Sequence, residues 1–215
     1  MAKVITMRKE IRTPIEYPPT GSKDTSWISG WLSVRIMNDN SIDVYAEPDQ
    51  ALVFARSSTP TEAEKIIAQG TELIFRVLCK NGDEAEKTAR SIVNFMTKPG
   101  IICLDMEDCM SIAAAGDHEA KLWLFESFDD EPMEEFKKRI KTALPPLTSL
   151  NYMLQVEGDI SLMDVYDLAN MITDLSSEDA NIAFQAQYHE ETPGYKAFFV
   201  FSFEGENISQ VQTEG

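Results

Sequence analysis

"TKPGIICLDMEDCM" spans Thr97 to Met110. To its left, "DEAEKTARSIVNFM" starts at Asp83 and places Ala85, Ala89, Ile92, Val93 and Met96 on one face of a helix. Thr97 to Gly100 stop that helix, since proline cannot continue it and glycine permits the turn. An apolar run, Ile101 to Leu104, then delivers Asp105, Glu107 and Asp108. The acids have two readings. In the first they begin the next helix, "MEDCMSIAAA", with Asp105 as N-cap and Asp108 completing a capping box that the helix dipole favours. In the second they act on something, because an ionised carboxylate can polarise a water molecule and accept its proton.

Upstream, "RTPIEYPPTGSKDTS" carries three prolines and several turn residues, so residues 1–26 read as an irregular, extended arm. "WLSVRIM" (31–37), "SIDVYAE" (41–47) and "ALVFA" (51–55) read as strands. "TPTEAEKIIAQG" carries a helix-start signature: Thr59 as N-cap, Pro60 at the first helical position, Glu62 closing a capping box and Gly70 as the stop. "ELIFRVLC" (72–79) is a further β-type run.

Downstream, "KLWLFESF" (121–128), "LNYMLQVEG" (150–158), "ANIAFQAQYHE" (180–190) and "YKAFFVFSFEG" (195–205) read as strands, the last two joined by a turn at Thr192-Pro193-Gly194. Between them lie two helices. "DEPMEEFKKRIKTAL" has a Met133, Phe136, Ile140, Ala143, Leu144 stripe, and "SLMDVYDLANMITDL" has Ser161 and Asp164 at capping-box spacing with a Val165, Leu168, Ala169, Ile172 face. The class is α/β, a layered sheet with flanking helices. Residues 51–96 and 121–175 read alike as strand, capped helix, strand, capped helix, an echo that a duplicated unit or any layered α/β protein produces. The tail from Glu206 is polar and reads as loose.

The chain of 215 residues suits one large domain or two small ones. Its formal charge of −17 opposes contact with phosphate backbones and anionic lipid surfaces, so neither nucleic acid nor membrane insertion is expected. The start "MAKVITMRKE" lacks the apolar core of a secretory leader, and no apolar run approaches the roughly 20 residues of a membrane span. Cys79, Cys103 and Cys109 form no C-x-x-C, so they read as reduced, buried thiols of a cytoplasmic protein.

No two of the ten glycines form G-G or G-x-G. Backbone amides that wrap phosphate oxygens need such glycines, so no nucleotide-binding loop and no bound nucleotide are expected for the chain alone. No cofactor is expected. His118 and His189 lie far apart; His189 beside Glu190 and Glu191 reads as a surface histidine before it reads as a metal ligand, and no metal is expected.

The helix followed by "TKPGIICLDMED" resembles the junction between the two domains of the FtsZ/tubulin superfamily. There a central helix runs into a Pro-Gly turn and then a loop of the form N-x-D-x-x-D. Asp105 and Asp108 match the two aspartates, while Cys103 stands where the family has asparagine. "AAAGDHEAKLWLFESFDDEPMEEFKKRIKTAL" and "LNYMLQVEGDISLMDVYDLANMI" are similar to the strands and helices that follow, and "DANIAFQAQYHEETPGYKAFFVFSF" to the family's closing hairpin. The resemblance covers about residues 84–205 and not the first 80.

The resemblance implies a C-terminal FtsZ/tubulin-like domain at 98–205. It would be preceded by the arm at 1–26 and a small α/β region at 27–97 ending in a central-type helix, and followed by a tail at 206–215, with no GTP-binding domain. In the family, filaments form head to tail, and the loop aspartates of one subunit reach the nucleotide of the next. Three functions stand open. One is a non-enzymatic interaction module that self-associates or modulates a filament of the cell-division type. Another is a component that activates GTP hydrolysis in trans through Asp105 and Asp108. The third is a stand-alone domain turned to an unrelated interaction.

Overall fold

The computed structural model describes residues 4–17, 28–49, 52–55, 65–68, 71–98, 100–102, 104, 106–127, 131–188 and 193–204. The strands are β1 (Met7–Tyr17), β2 (Ile28–Met37), β3 (Ser41–Pro48), β4 (Leu52–Ala55), β5 (Lys65–Ala68), β6 (Glu72–Leu78), β7 (Glu119–Glu126), β8 (Asn151–Gly158), β9 (Asn181–Tyr188) and β10 (Lys196–Phe203). The helices are α1 (Gly82–Thr97), α2 (Met106–Ala115), α3 (Met133–Ala143) and α4 (Leu162–Leu175). Eight strands form one sheet in the order β1-β2-β3-β6-β7-β10-β8-β9. The fold is α/β, a sheet flanked by helices.

The sheet separates two cores. Alternation in β2 and β3 turns Leu32, Val34 and Ile36, and Ile42, Val44 and Ala46, toward α1 and α2, whose Ala85, Ala89, Ile92, Met110 and Ile112 complete that side. On the other side α3 and α4 bury Phe136, Ile140, Val165, Leu168 and Ile172 against Tyr152, Leu154 and Val156 of β8. β10 serves both: Phe199, Phe201 and Phe203 face the first core, Phe198 and Val200 the second. A strand covered on both faces has no need to alternate, hence "AFFVFSF". A short parallel pairing of β6 with β7, Arg76 to Leu78 against Glu119 to Lys121, carries the sheet from its N-terminal to its C-terminal half.

Three expectations are corrected. Residues 7–17 are not an irregular arm but an edge strand, paired antiparallel with β2 from Lys9↔Ile36 to Tyr17↔Ile28. Proline is tolerated there because an edge strand leaves one row of N–H groups unused. β1 is tied by side chains that composition alone does not align. Glu10 accepts from Ser33 Oγ (2.6 Å) and Arg35 Nε (2.8 Å), Arg12 Nε donates to Glu47 (3.0 Å), and Lys9 Nζ donates to Glu86 of α1 (2.5 Å).

The helix expected over 59–70 is overturned at Lys65–Ala68, which form a strand paired antiparallel with Leu52–Ala55. Thr59, Pro60, Glu62 and Gly70 lie outside the described residues. Backbone pairing of "KIIA" with "LVFA" overrides a local helix signature. The echo between the two halves fails with it. The closing hairpin is also corrected: β8 lies between β9 and β10, parallel to the first and antiparallel to the second.

The ties of β1 make its docking acid-sensitive. The Ser33 and Arg35 contacts hold Glu10 below its ordinary value of 4.5, and the Lys9 contact does the same for Glu86. A lowered folded value means the stabilisation is complete above pH 4.5 and disappears as pH falls through the folded value. Protection factors of the β1 amides are therefore expected to fall below pH 4.5 before those of β10 do. Equal losses in both strands would contradict this.

Candidate functional site

Gly100 to Ile102 run against the edge of β9. α1 opens on Asn81, whose side chain accepts from Glu84 N, and closes on Lys98, whose N–H donates to Asn94 O. The chain then turns along β9: Ile101 N donates to Ala186 O (2.8 Å), and Ile102 forms a two-way bridge with Ala186. Gly100 is required by this approach, since a Cβ there would lie 2.4 Å from Ala186 O and 2.9 Å from Ile102 O. The loop spans both cores, with Ile102 packed on the α3/α4 side and Leu104 on the α1/α2 side.

α2 follows at once, burying Cys109, Met110, Ile112 and Ala113. Asp108 lies exposed in its first turn. Asp105 and Cys103 lie outside the described residues, as does the side chain of Glu107, so of the acids only Asp108 is placed. Both readings of the pair make distinct forecasts. As N-cap, Asp105→Ala is expected to cost about 0.5–2 kcal/mol, while Asp105→Asn keeps most of that, since asparagine also caps well. As a group acting on a neighbour's nucleotide, Asp105→Asn would leave stability intact yet lower the partner's GTP turnover tenfold or more, about 1.4 kcal/mol of barrier. We expect the capping outcome; urea melts and turnover of the mixture separate the two.

Of the histidines and cysteines, His118, Cys79 and Cys109 are placed. His118 follows α2, its Nδ1 2.6 Å from Ile74 O, and His189 lies outside the described residues. Cys109 is buried, and burial pushes the Cys79 thiol up to about 12, which keeps it protonated and unreactive. Among the described residues no group of three His, Cys, Asp or Glu could hold a metal ion. No described helix is long and apolar enough to cross a membrane.

A polar seam that the sequence reading missed runs between α1 and the sheet. Gln155 and Glu157 of β8 and Gln185 and Gln187 of β9 are buried. α1 has no basic residue in its last turn, and β9 supplies donors to carbonyls of its C-terminal end. Gln185 Nε2 donates to Phe95 O (2.7 Å), and Gln187 Nε2 to Asn94 O (2.8 Å) and Lys98 O (3.3 Å). Ser91 Oγ donates to Glu157 (2.6 Å) and accepts from Gln155 Nε2 (2.5 Å). The signal was legible as "QVE" and "QAQ", polar residues at period two inside apolar strands.

Past the seam, β8 leads through Gly158 to Ser161, which caps α4. Its side chain accepts from Asp164 N and the Asp164 carboxylate accepts from Ser161 N, the expected capping box. With Val165, Leu168 and Ile172 turned inward, the first turns of α4 present Leu162, Met163 and Tyr166 at 54%, 70% and 63% exposure. Tyr188, opposite Gly158 in the β8–β9 register, is half exposed at the same end of the sheet.

No protein-family model and no curated protein matches the chain. Among solved structures it is similar to a tryptophan-to-tyrosine mutant of FtsZ from M. jannaschii, at 16% identity and a TM-score of 0.47, over 59% of this chain and 42% of that one. It is similar also to an empty FtsZ dimer from M. jannaschii, at 16% identity and a TM-score of 0.47, over 55% and 37%. The chain thus spans about two fifths of the length of these FtsZ chains.

Proposed function

We propose that this chain is a non-enzymatic interaction module of the FtsZ/tubulin type that associates with, or modulates, a cytoskeletal filament of the cell-division type in the cytoplasm. The observation that carries the reading is the apolar surface at the start of α4. Leu162, Met163 and Tyr166 lie together in two helical turns and are mostly exposed, and contiguous exposed apolar side chains on a soluble chain mark contact surfaces. The P-G-x-x-x-x-D-x-x-D order after α1 supports the family reading, in which residues 98–205 are the family-like unit. The absence of any G-x-G motif supports a chain that does not hold nucleotide itself.

The exposure of Asp108 favours a second reading, in which Asp105 and Asp108 act in trans on a partner's nucleotide. Mixing the chain with a filament-forming FtsZ, and following light scattering and GTP turnover together, separates the two. The interaction module changes assembly, and its effect is unaltered by Asp105→Asn or Asp108→Asn. The trans-acting component raises turnover only on mixing, and loses that effect in either variant. No change in scattering or turnover would overturn both. Calorimetry of the chain alone is expected to show no saturable GTP binding at micromolar concentration; one-to-one micromolar binding would contradict this.

A further inference from the structure

The charge of the chain is divided unequally. Residues 1–98 hold thirteen lysines and arginines against thirteen acids, and residues 99–215 hold six against twenty-three, so the whole of the −17 lies beyond Lys98. Within that half, Thr142 to Tyr195 include no lysine or arginine, against nine acids. The exposed face of α4 gathers part of this charge. Asp174 comes eleven residues after Met163, which is three helical turns further on the same face, about 16 Å along the axis. Met163, Tyr166, Asn170 and Asp174 are exposed along that row, and Glu178 and Asp179, just past the helix end, are exposed too. Asp174, Glu178 and Asp179 form no ion pair among the described residues. Lys137 of α3 reaches α4 but is held between Asp167 (2.8 Å) and Glu134 (2.5 Å). α4 has no basic residue in its last turn, so the partial negative charge of its carboxyl end adds to that of the acids.

The face therefore has an apolar end and an anionic end. The anionic end attracts cations and repels nucleic acid and anionic lipid. A second copy of the chain offers it no complement. The N-terminal half is balanced in charge, the arginines of β1, β2 and β6 are each engaged by an acid, and the C-terminal half is itself anionic. Resting on the reading of this face as a contact surface, we propose that its partner is a different protein that lays a lysine- or arginine-rich segment along α4. An apolar side chain of that segment sits among Leu162, Met163 and Tyr166, and its cations meet Asp174, Glu178 and Asp179. The apolar end supplies affinity, and the acidic end selects the partner and speeds its approach.

A random peptide library displayed on phage, selected on the full chain at about 0.15 M salt, tests this. The selected peptides are expected to carry several lysines or arginines beside an apolar residue. The tightest of them, synthesised and labelled, is expected to bind one-to-one. Its affinity should fall tenfold or more with the double change Asp174→Lys and Glu178→Lys, and again with Met163→Asp alone. All three positions are exposed, and urea melts check that both variants fold; Asp174→Asn with Glu178→Gln repeats the test with side-chain shape preserved. Attraction to the overall charge alone would strengthen with Met163→Asp, so that variant separates a docking site from a general field. Peptides without lysine or arginine, no saturable binder, or a loss under tenfold in either variant would overturn the proposal. So would sedimentation of the chain alone showing self-association that the double lysine variant abolishes, since the occupant would then be a second copy. The selection uses no filament: a failure to pellet with FtsZ leaves this result standing, and a failed selection leaves the pelleting result standing.

Discussion

Gly158→Ala is expected to destabilise the protein by about 2–6 kcal/mol, combining roughly 1–3 from backbone strain with 1–3 from overpacking. Gly158 ends β8 at φ +119, a conformation that side chains rarely allow. A Cβ there would lie 2.1 Å from Tyr195 O and 3.0 Å from Lys196 Cα. Neither can withdraw cheaply. Tyr195 O accepts from Asp159 N at 2.8 Å, and Gly158 pairs with Lys196 in the ladder that joins β8 to β10. The turn it makes leads directly to the Ser161 cap, so the same substitution should disturb the presentation of Leu162 and Met163. A two-state urea melt measures the loss; a change under about 1 kcal/mol would show that the turn can relax around a side chain.

Leu168→Ala should cost about 2–5 kcal/mol, the range for emptying a packed leucine site. Leu168 is fully buried among Val165, Ile172, Phe136 and Ile140, between α4, α3 and β8. Met163→Ala, on the opposite face and 70% exposed, is the control and should stay within about 0.5 kcal/mol. If both variants melted together, the helix phase would be wrong, and with it the surface proposed for partners.

The C-terminal half was legible because local and tertiary signals agree there. Ser161 and Asp164 announce α4 by capping chemistry, and the period of Val165, Leu168 and Ile172 gives its buried face. The N-terminal half was read less well where a local signal lost to pairing. Thr59, Pro60 and Glu62 resemble a helix start, yet Lys65–Ala68 pair as a strand with Leu52–Ala55. The prolines around Pro14 resemble an arm, yet Glu10 and Arg12 fasten β1 across the sheet. No local rule announces that β8 comes between β9 and β10, because strand order is a property of the whole sheet.

The opening loop was legible in part. The end of α1 at Thr97 and the start of α2 at Met106 stand where the Pro-Gly pair and the acids placed them in the sequence. The role of Gly100 against Ala186 depends on a residue 86 positions away, visible only in three dimensions. The glutamines of the seam were legible as a period-two pattern, but their partners on α1 were not.

The most direct test of filament association is sedimentation with a filament-forming FtsZ assembled in GTP. The chain is expected to pellet with the filaments in a saturable amount and to remain in the supernatant without them. Met163→Asp, which places a charge on the exposed apolar turn of α4, should reduce the pelleted fraction several-fold while leaving the urea melt unchanged. A chain that stays in the supernatant at every filament concentration, or a Met163→Asp variant that pellets as the wild type does, would contradict the account.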